Sequence, residues 1–148
     1  MKYRQGGPPA GWLAWQSENS KGTFTWDREV GCADKGSARA GQVANGCFLQ
    51  HREVAPGQVY AVRAMRRVHG SGDAWLRIRW QTHDGKWTAE AKDEIAYAAG
   101  PQQQWSELLA VVEVPEEAGR LVILLGVGGQ QSPDDAAWFD DVEAYRLQ

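Results

Sequence analysis

Apolar and polar residues alternate along nearly every segment of this chain between its glycines and prolines, and this period of two limits the fold more than any other feature. Residues 59–68 and 74–81 show the pattern most clearly. Because successive side chains of a β-strand point to opposite faces of a sheet, both segments are predicted to be strands with one buried face. The side chains predicted to face the core are Tyr60, Val62, Ala64, Leu76, Ile78 and Trp80.

Turn residues separate the alternating segments. The pair Pro56-Gly57 is typical of a tight turn, because proline restricts φ and glycine tolerates positive φ. Residues 69–73 and 83–86 are predicted to be hairpin loops, and residues 93–99 form the one candidate for a short helix. The other predicted strands cover residues 37–43, 47–54, 86–91, 105–114, 120–127 and 137–147.

Many short strands separated by turn residues indicate an all-β protein, and the favoured architecture is a two-sheet antiparallel β-sandwich. A chain of 148 residues is long enough for one core, so we expect a single domain over residues 11–148 after an N-terminal segment of residues 1–10. The net charge of -3 argues against nucleic acid or an anionic membrane as the partner. No apolar run approaches the roughly 20 residues that would span a bilayer.

The N-terminal residues and the two cysteines each leave two interpretations open. Residues 1–9 contain no apolar segment of a signal peptide, which fits a cytosolic protein and equally a module from within a larger secreted chain. Cys32 and Cys47 match no metal-ligand spacing. They either form a disulfide, which would support secretion, or are two small buried hydrophobic residues.

Five short motifs, in order along the chain, resemble those of a known family. They are Gly11-Trp12 with Trp15, then Gly36-Ser37-Ala38-Arg39-Ala40, then Gln50 with Val54-x-Pro56-Gly57-Gln58-x-Tyr60, then Trp105 before a strand that ends Val112-Glu113-Val114-Pro115, and finally Phe139-Asp140-Asp141-Val142. The set is similar to the carbohydrate-binding modules of families 4, 9 and 22, a jelly-roll group related to galactose-binding-like domains. The resemblance covers residues 11–147.

The resemblance implies a non-catalytic, secreted or periplasmic module attached to a glycoside hydrolase or a polysaccharide lyase, with glycan held on the concave face of one sheet. It also implies a structural calcium ion, with Asp140 as the favoured ligand beside Asp141. Adjacent strand residues point to opposite faces, so both carboxylates reach one site only if the strand bulges. The alternative is that both are solvated or paired with basic residues. Family members begin with an Asn-x-Gly-Phe-Glu-like segment that helps to form the calcium site. This chain departs from the pattern, since it has Tyr3-Arg4-Gln5-Gly6-Gly7 at that position.

The arginines of the two clearest strands suggest where a glycan would bind. If residues 59–68 and 74–81 pair as a hairpin, their outward side chains form a basic face flanked by an indole. Indoles stack on the apolar faces of pyranose rings and guanidinium groups bind carboxylates or sulfates, which favours an anionic glycan. The alternative is an ordinary solvated face, balanced by cross-strand acids. The candidate binding residues, extended by a second indole and an amide, are Arg63, Trp75, Arg77, Arg79, Trp87 and Gln130.

No motif for catalysis is present: the chain has no Gly-x-Ser-x-Gly, no His-Glu-x-x-His and no phosphate-binding glycine loop. The sequence therefore predicts a monomeric polysaccharide- or oligosaccharide-binding module without an activity of its own. Two alternatives remain. One is a small jelly-roll lyase that neutralises a uronate with arginine and uses a Tyr or His base. The other is a sandwich that packs on a catalytic neighbour and binds no glycan.

Overall fold

The computed structural model describes residues 7–148, and the regular structure in this range is almost entirely β-strand. The range contains ten strands and one turn of 3-10 helix, Glu90–Lys92. The strands are β1 (Leu13–Gln16), β2 (Thr23–Asp27), β3 (Ser37–Gly41), β4 (Asn45–Glu53), β5 (Val59–His69), β6 (Asp73–Gln81), β7 (Glu94–Ala96), β8 (Ser106–Glu113), β9 (Arg120–Gly128) and β10 (Ala136–Arg146).

The strands form two antiparallel five-stranded sheets that pack face to face. Sheet A has the order β1-β4-β9-β6-β7, and sheet B has the order β2-β3-β10-β5-β8. This confirms the predicted all-β antiparallel sandwich of jelly-roll form. Within the described range, no helix has the length and apolar character that crossing a bilayer would require.

The core between the sheets is built from the residues that the alternation predicts. All six side chains named for β5 and β6 are at most 3% exposed. Phe48 of β4 lies at the centre, with its ring edge-on to Phe24 at 5.1 Å and to Phe139 at 6.2 Å between ring centroids. The indole Nε1 of Trp80 donates a hydrogen bond to the Lys92 carbonyl at 3.0 Å, so burial of this ring leaves no polar atom unpaired. Burying each large side chain contributes about 1.5–3 kcal/mol.

Strands β5 and β6 do not pair, so the predicted hairpin is wrong. They lie in sheets B and A respectively, on opposite sides of the core. Gly70 (φ 78°) and Gly72 (φ 104°) take positive φ values where the chain crosses between the sheets. The Ser71 backbone N–H donates to Asp135 Oδ1 at 3.0 Å, which fixes the connection to the segment before β10. The outward faces of β5 and β6 therefore belong to two opposite surfaces of the domain.

Other local predictions differ from the structure near β7. Residues 86–91 are not a strand; only Trp87 makes an isolated bridge, to Gln81. The helix expected over residues 93–99 is replaced by the short strand β7, which pairs with the edge of β6. Strands β1 and β2 are not predicted at all, because they are short and mostly half-buried or exposed. Pairing with β4 and β3, not a hydrophobic pattern of their own, holds them in place.

Strand β10 contains a bulge at its acidic pair. Its register against β5 shifts between Asp140 and Glu143, and Asp141 takes a positive φ of 50°. The bulge reverses the parity of the strand: Phe139 faces the core before it, and Val142 packs against the core after it. The strand therefore has the bulge without which the carboxylates of Asp140 and Asp141 would point to opposite faces of the sheet.

Candidate functional site

The outward face of sheet A carries a groove of about 440 Å³ that crosses four of its five strands. Its lining combines indoles, small residues and two arginines. The groove, as used below, is lined by Trp15, Asn45, Cys47, Leu49, Trp75, Arg77, Arg79, Trp87, Leu124 and Gly126.

The strand register places two indoles, those of Trp15 and Trp75, at opposite ends of one row of paired residues across sheet A. Trp15 of β1 pairs with Cys47 of β4, which pairs with Gly126 of β9, which pairs with Trp75 of β6. Three interstrand steps of about 4.8 Å separate the two tryptophans by roughly 14 Å of backbone. Because Cys47 and Gly126 are small, the floor between the indoles stays low.

The indole of Trp75 lies directly against the backbone of β9. A Cβ atom at Gly126 would fall 2.2 Å from Trp75 Nε1 and 2.3 Å from Cε2, and one at Gly128 would fall 3.1 Å from Cη2. Neither glycine has a positive φ. Position 126 therefore requires glycine because the Trp75 ring lies against it, and not because of its backbone conformation. Two glycines spaced two apart in a strand indicate that another group approaches the strand closely. This signal was not used in the sequence-based prediction of the binding residues.

Aromatic exposure on this face is high. Trp15 is 54% exposed, Trp87 46% and Tyr97 63%, and the Tyr97 ring lies 6.4 Å from the half-buried ring of Trp75. Tyr97 follows β7 at the same side of sheet A, and the sequence analysis does not select it. Large apolar groups gathered at one exposed, concave site are typical of a binding surface.

Arg77 and Arg79 of β6 share one buried carboxylate. Arg77 donates to Asp93 Oδ2 through Nη2 at 2.7 Å and through Nε at 3.2 Å. Arg79 Nε lies 3.0 Å from the same oxygen, as an ion pair without an aligned hydrogen bond. The Asp93 side chain is only 5% exposed. The two arginines are therefore held in place, and the Asp93 carboxylate offsets one of their two positive charges.

Trp87 covers Arg79 from the solvent side. The Arg79 guanidinium carbon lies 4.3 Å from the centre of the Trp87 ring, which is the geometry of a cation–π contact. Glu90 approaches Arg79 at 3.9 Å from the adjacent 3-10 turn. The structure thus brings four of the six sequence-predicted binding residues into one groove: Trp75, Arg77, Arg79 and Trp87.

Arg63, the fifth candidate, lies on the other surface of the domain. It belongs to β5 of sheet B, where it pairs with Glu107 at 3.0 Å and with Glu143 at 3.2 Å. These two acids raise the pKa of the Arg63 guanidinium, and the hydrogen bond that Arg63 donates to Glu143 has the largest effect. Because β5 and β6 are in different sheets, the basic face predicted from the two strands does not form.

Gln130, the sixth candidate, is buried at the end of β9. Its Oε1 accepts a hydrogen bond from the Val43 N–H at 2.8 Å, and its Nε2 donates to the Ala40 carbonyl at 3.2 Å. Gly129, with a φ of 72°, turns the chain inward before it. The amide satisfies backbone groups of the neighbouring loop, so it is not a groove residue.

The two cysteines are free, so of the two interpretations the disulfide is wrong. Cys47 lies in the floor of the groove on sheet A, where burial raises its pKa to about 11. Cys32 lies beside β10, where burial, followed by the nearby carboxylates of Asp141 and Asp140, raises the pKa of its thiol. The thiol of Cys47 is therefore protonated at neutral pH.

The acidic pair of β10 lines a second recess, of about 590 Å³, at the edge of the sandwich. The β10 recess, as used below, is lined by Ala10, Gly11, Trp12, Gln50, Asp140, Asp141, Val142 and Glu143. Asp140 is buried and accepts a hydrogen bond from the Cys32 N–H at 3.0 Å. Across residues 7–148, no group of three or more His, Cys, Asp or Glu side chains could hold a metal ion. Of the divergent N-terminal segment, residues 3–6 lie outside the described range.

No protein-family model and no curated protein matches this chain. Several solved structures, however, are similar to it. Tailspike protein 4 of bacteriophage CBA120, in its enzymatically active domain, matches with a TM-score of 0.74 and 16% identity, covering 93% of this chain and 20% of that one. The CBM22-1–GH10 modules of Clostridium thermocellum xylanase 10B, complexed with xylohexaose, match with a TM-score of 0.68 and 14% identity, covering 92% and 26%. The chain thus spans about a fifth and a quarter of these two proteins.

Other matches are single modules of similar size. The CBM22-1 xylan-binding domain of Paenibacillus barcinonensis Xyn10C matches with a TM-score of 0.63 and 14% identity, covering 96% of this chain and 89% of that one. Carbohydrate-binding modules of families 4, 61 and 16 also match. At these identities the likeness shows a shared fold. It confirms that the chain has the jelly roll of the carbohydrate-binding modules that its motifs resemble.

Proposed function

We propose that this domain binds a polysaccharide or oligosaccharide in the groove of sheet A. The observation that carries the proposal is the gathering of Trp15, Trp75, Trp87 and Tyr97 at one exposed site. The axial C–H groups of a pyranose ring form a flat apolar face that stacks on an aromatic ring. Sugar hydroxyls need both donors and acceptors, and the guanidinium N–H groups of Arg77 and Arg79 supply donors within the groove.

The shape of the groove supports a chain-like ligand that is held weakly. It is open along the sheet surface, and its two outer indoles stand at opposite sides of the β1-to-β6 row. A shallow, hydroxyl-rich ligand buries little apolar surface, so a single site has modest affinity. Such a site is useful when it is tethered, because tethering raises the local concentration of an attached enzyme at its substrate.

We further propose that the domain is a secreted, monomeric, non-catalytic part of a carbohydrate-active enzyme. Two of the similar structures support attachment, since their descriptions name an enzymatically active domain and a xylanase with its GH10 module. Electrostatics argue against the lyase alternative. A lyase arginine must meet the uronate carboxylate, whereas Asp93 already occupies both Arg77 and Arg79.

A calcium ion in the β10 recess is a second proposal, and the described residues fit it in part. The bulge brings Asp140 and Asp141 to one recess beside Glu143 and the Gln50 amide. Calcium prefers six to eight oxygen ligands, many of them from backbone carbonyls. Asp140 shares its carboxylate with the Cys32 N–H, so the remaining ligands would come from backbone carbonyls of residues 10–12, which line the recess. An ion there would brace the N-terminal loop against β10 without taking part in glycan binding.

Affinity electrophoresis through gels that contain xylan, β-glucan or galactan tests the glycan proposal. Trp15→Ala is expected to weaken retention about tenfold, because it removes one wall of the groove. The matched control is Tyr145→Ala, a ring of similar exposure on the outward face of sheet B, which should change retention less than about twofold. Equal effects of the two variants would show that the glycan is not held in the groove. No retention by the unaltered domain in any gel would favour a sandwich that packs on a neighbour and binds no glycan.

A further inference from the structure

Asp93 is the most completely buried charged group beside the groove. Its side chain is 5% exposed, and its Oδ2 contacts both Arg77, at 2.7 Å, and Arg79, at 3.0 Å. Its other oxygen, Oδ1, is buried and accepts no hydrogen bond within the described range. A single carboxylate oxygen thus serves two guanidinium groups, each of which would otherwise face a ligand as a free cation.

The charges on this part of sheet A sum to zero. The cations are Arg77 and Arg79, and the anions are Asp93 and the exposed Glu90, which lies 3.9 Å from Arg79. One end of the same sheet carries a further balanced pair, Arg120 with Glu53 at 3.2 Å. Trp87 stacks on the Arg79 guanidinium and restricts its approach to an external anion. An anionic glycan would have to displace Asp93 from contacts that are short and mostly shielded from solvent.

We infer that Asp93 is a specificity-determining residue: it engages both Arg77 and Arg79 in buried ion pairs that leave no place for a second anion, so that the groove accepts uncharged glycans and rejects uronate and sulfated ones. The inference rests on the proposed function, since it assigns a ligand class to the same groove. It departs from the anionic glycan that the arginine-rich sequence favours, because that prediction counted Arg63 on this face and did not include Asp93. The ion-paired guanidinium groups remain as donors to hydroxyl oxygens.

The test compares the unaltered domain with Asp93→Asn and Glu90→Gln, by calorimetric titration with xylohexaose and with hexagalacturonate at low and high salt. The unaltered domain should bind the neutral hexamer with little dependence on salt and the anionic one at least about tenfold more weakly. Asp93→Asn keeps the side-chain shape but frees the arginines, so it should gain about tenfold in affinity for hexagalacturonate, and the gain should fall as salt rises. Glu90→Gln removes the same charge at an exposed position and should change either affinity less than about twofold.

The outcomes separate the two proposals. If the unaltered domain binds neither hexamer nor any other glycan in the gels, the proposed function fails and this inference fails with it. If it binds hexagalacturonate as tightly as xylohexaose, or tighter, with strong salt dependence, the role of Asp93 is refuted while glycan binding stands. This comparison needs no variant, so it decides the matter even if thermal melting shows Asp93→Asn to be unfolded. Equal gains for Asp93→Asn and Glu90→Gln would also refute it, because net charge and not the buried contact would then be responsible.

Discussion

Replacing Gly126 by alanine tests whether the close approach of the Trp75 ring to β9 positions this indole at its side of the groove. The added Cβ would lie 2.2 Å from Trp75 Nε1, 2.3 Å from Cε2 and 2.8 Å from Cζ2. Favourable contacts between such atoms need about 3.5–4.0 Å, so the ring must move away from β9 by about 1.3 Å or more. The strand itself can accept alanine, because Gly126 has no positive φ.

The expected cost falls mainly on binding. Trp75 is half-buried and can swing towards solvent, so the loss of stability should be about 1 kcal/mol, at the low end for overpacking. Loss of glycan stacking on the Trp75 ring should cost about 2 kcal/mol of binding free energy, which is roughly a thirtyfold weaker affinity. The variant should therefore melt almost normally and still lose most of its glycan retention, although residue 126 has no polar group to offer a ligand.

Calorimetric titration with the glycan retained most strongly, together with thermal denaturation, measures both effects. The matched control is Gly128→Ala, whose Cβ would lie 3.1 Å from Trp75 Cη2 and needs only a small adjustment of the ring. We expect this control to weaken binding less than about threefold. If Gly126→Ala binds as tightly as the unaltered domain, Trp75 does not bind glycan from the position that it has in the structure, and one of the two outer indoles is not part of the binding site.

Three further predictions concern the groove charges, its floor and the metal. Arg77→Ala combined with Arg79→Ala should destabilise the domain by about 3 kcal/mol in chemical denaturation, because Asp93 is left buried without a cation; unchanged stability would show that the ion pairs are dispensable. In a Cys32→Ser background, maleimide labelling of Cys47 should accelerate about tenfold per pH unit between pH 8 and 10, since its thiolate forms only as pH rises towards a pKa of about 11; a rate that levels off near pH 8 would contradict this. Adding a chelator should lower the melting temperature if the β10 recess holds calcium. An unchanged melting temperature would contradict the proposed calcium site.

The core of this sandwich is predictable from the sequence because it depends on one local rule. Alternation in β5 and β6 identifies every side chain that these strands bury, including Tyr60 and Trp80. The pairing of the two strands is not predictable in the same way. Neighbours in sequence usually form hairpins, whereas the connection that takes β6 to the other sheet is held by a tertiary contact, the hydrogen bond from the Ser71 N–H to the Asp135 carboxylate.

The site was only partly predictable for the same reason. Trp75, Arg77 and Arg79 share a face within one strand, so the period of two places them together without further information. Asp93 lies in a segment whose sequence suggests a helix, and its role becomes visible only when β7 pairs with β6. Gln130 illustrates the converse: an amide after a glycine pair indicates a surface loop, yet the fold uses both of its polar atoms internally.

The row that carries Trp15, Cys47, Gly126 and Trp75 has a consequence for how the domain acquires its groove. Its members come from β1, β4, β9 and β6, and β4 pairs with β9 across about half of the chain length. Folds dominated by such distant pairings form slowly, in milliseconds to seconds, since the chain must close long loops before the contacts stabilise it. The groove has no precursor in any local hairpin. During synthesis it comes into being only after β9 has emerged and inserted between β4 and β6.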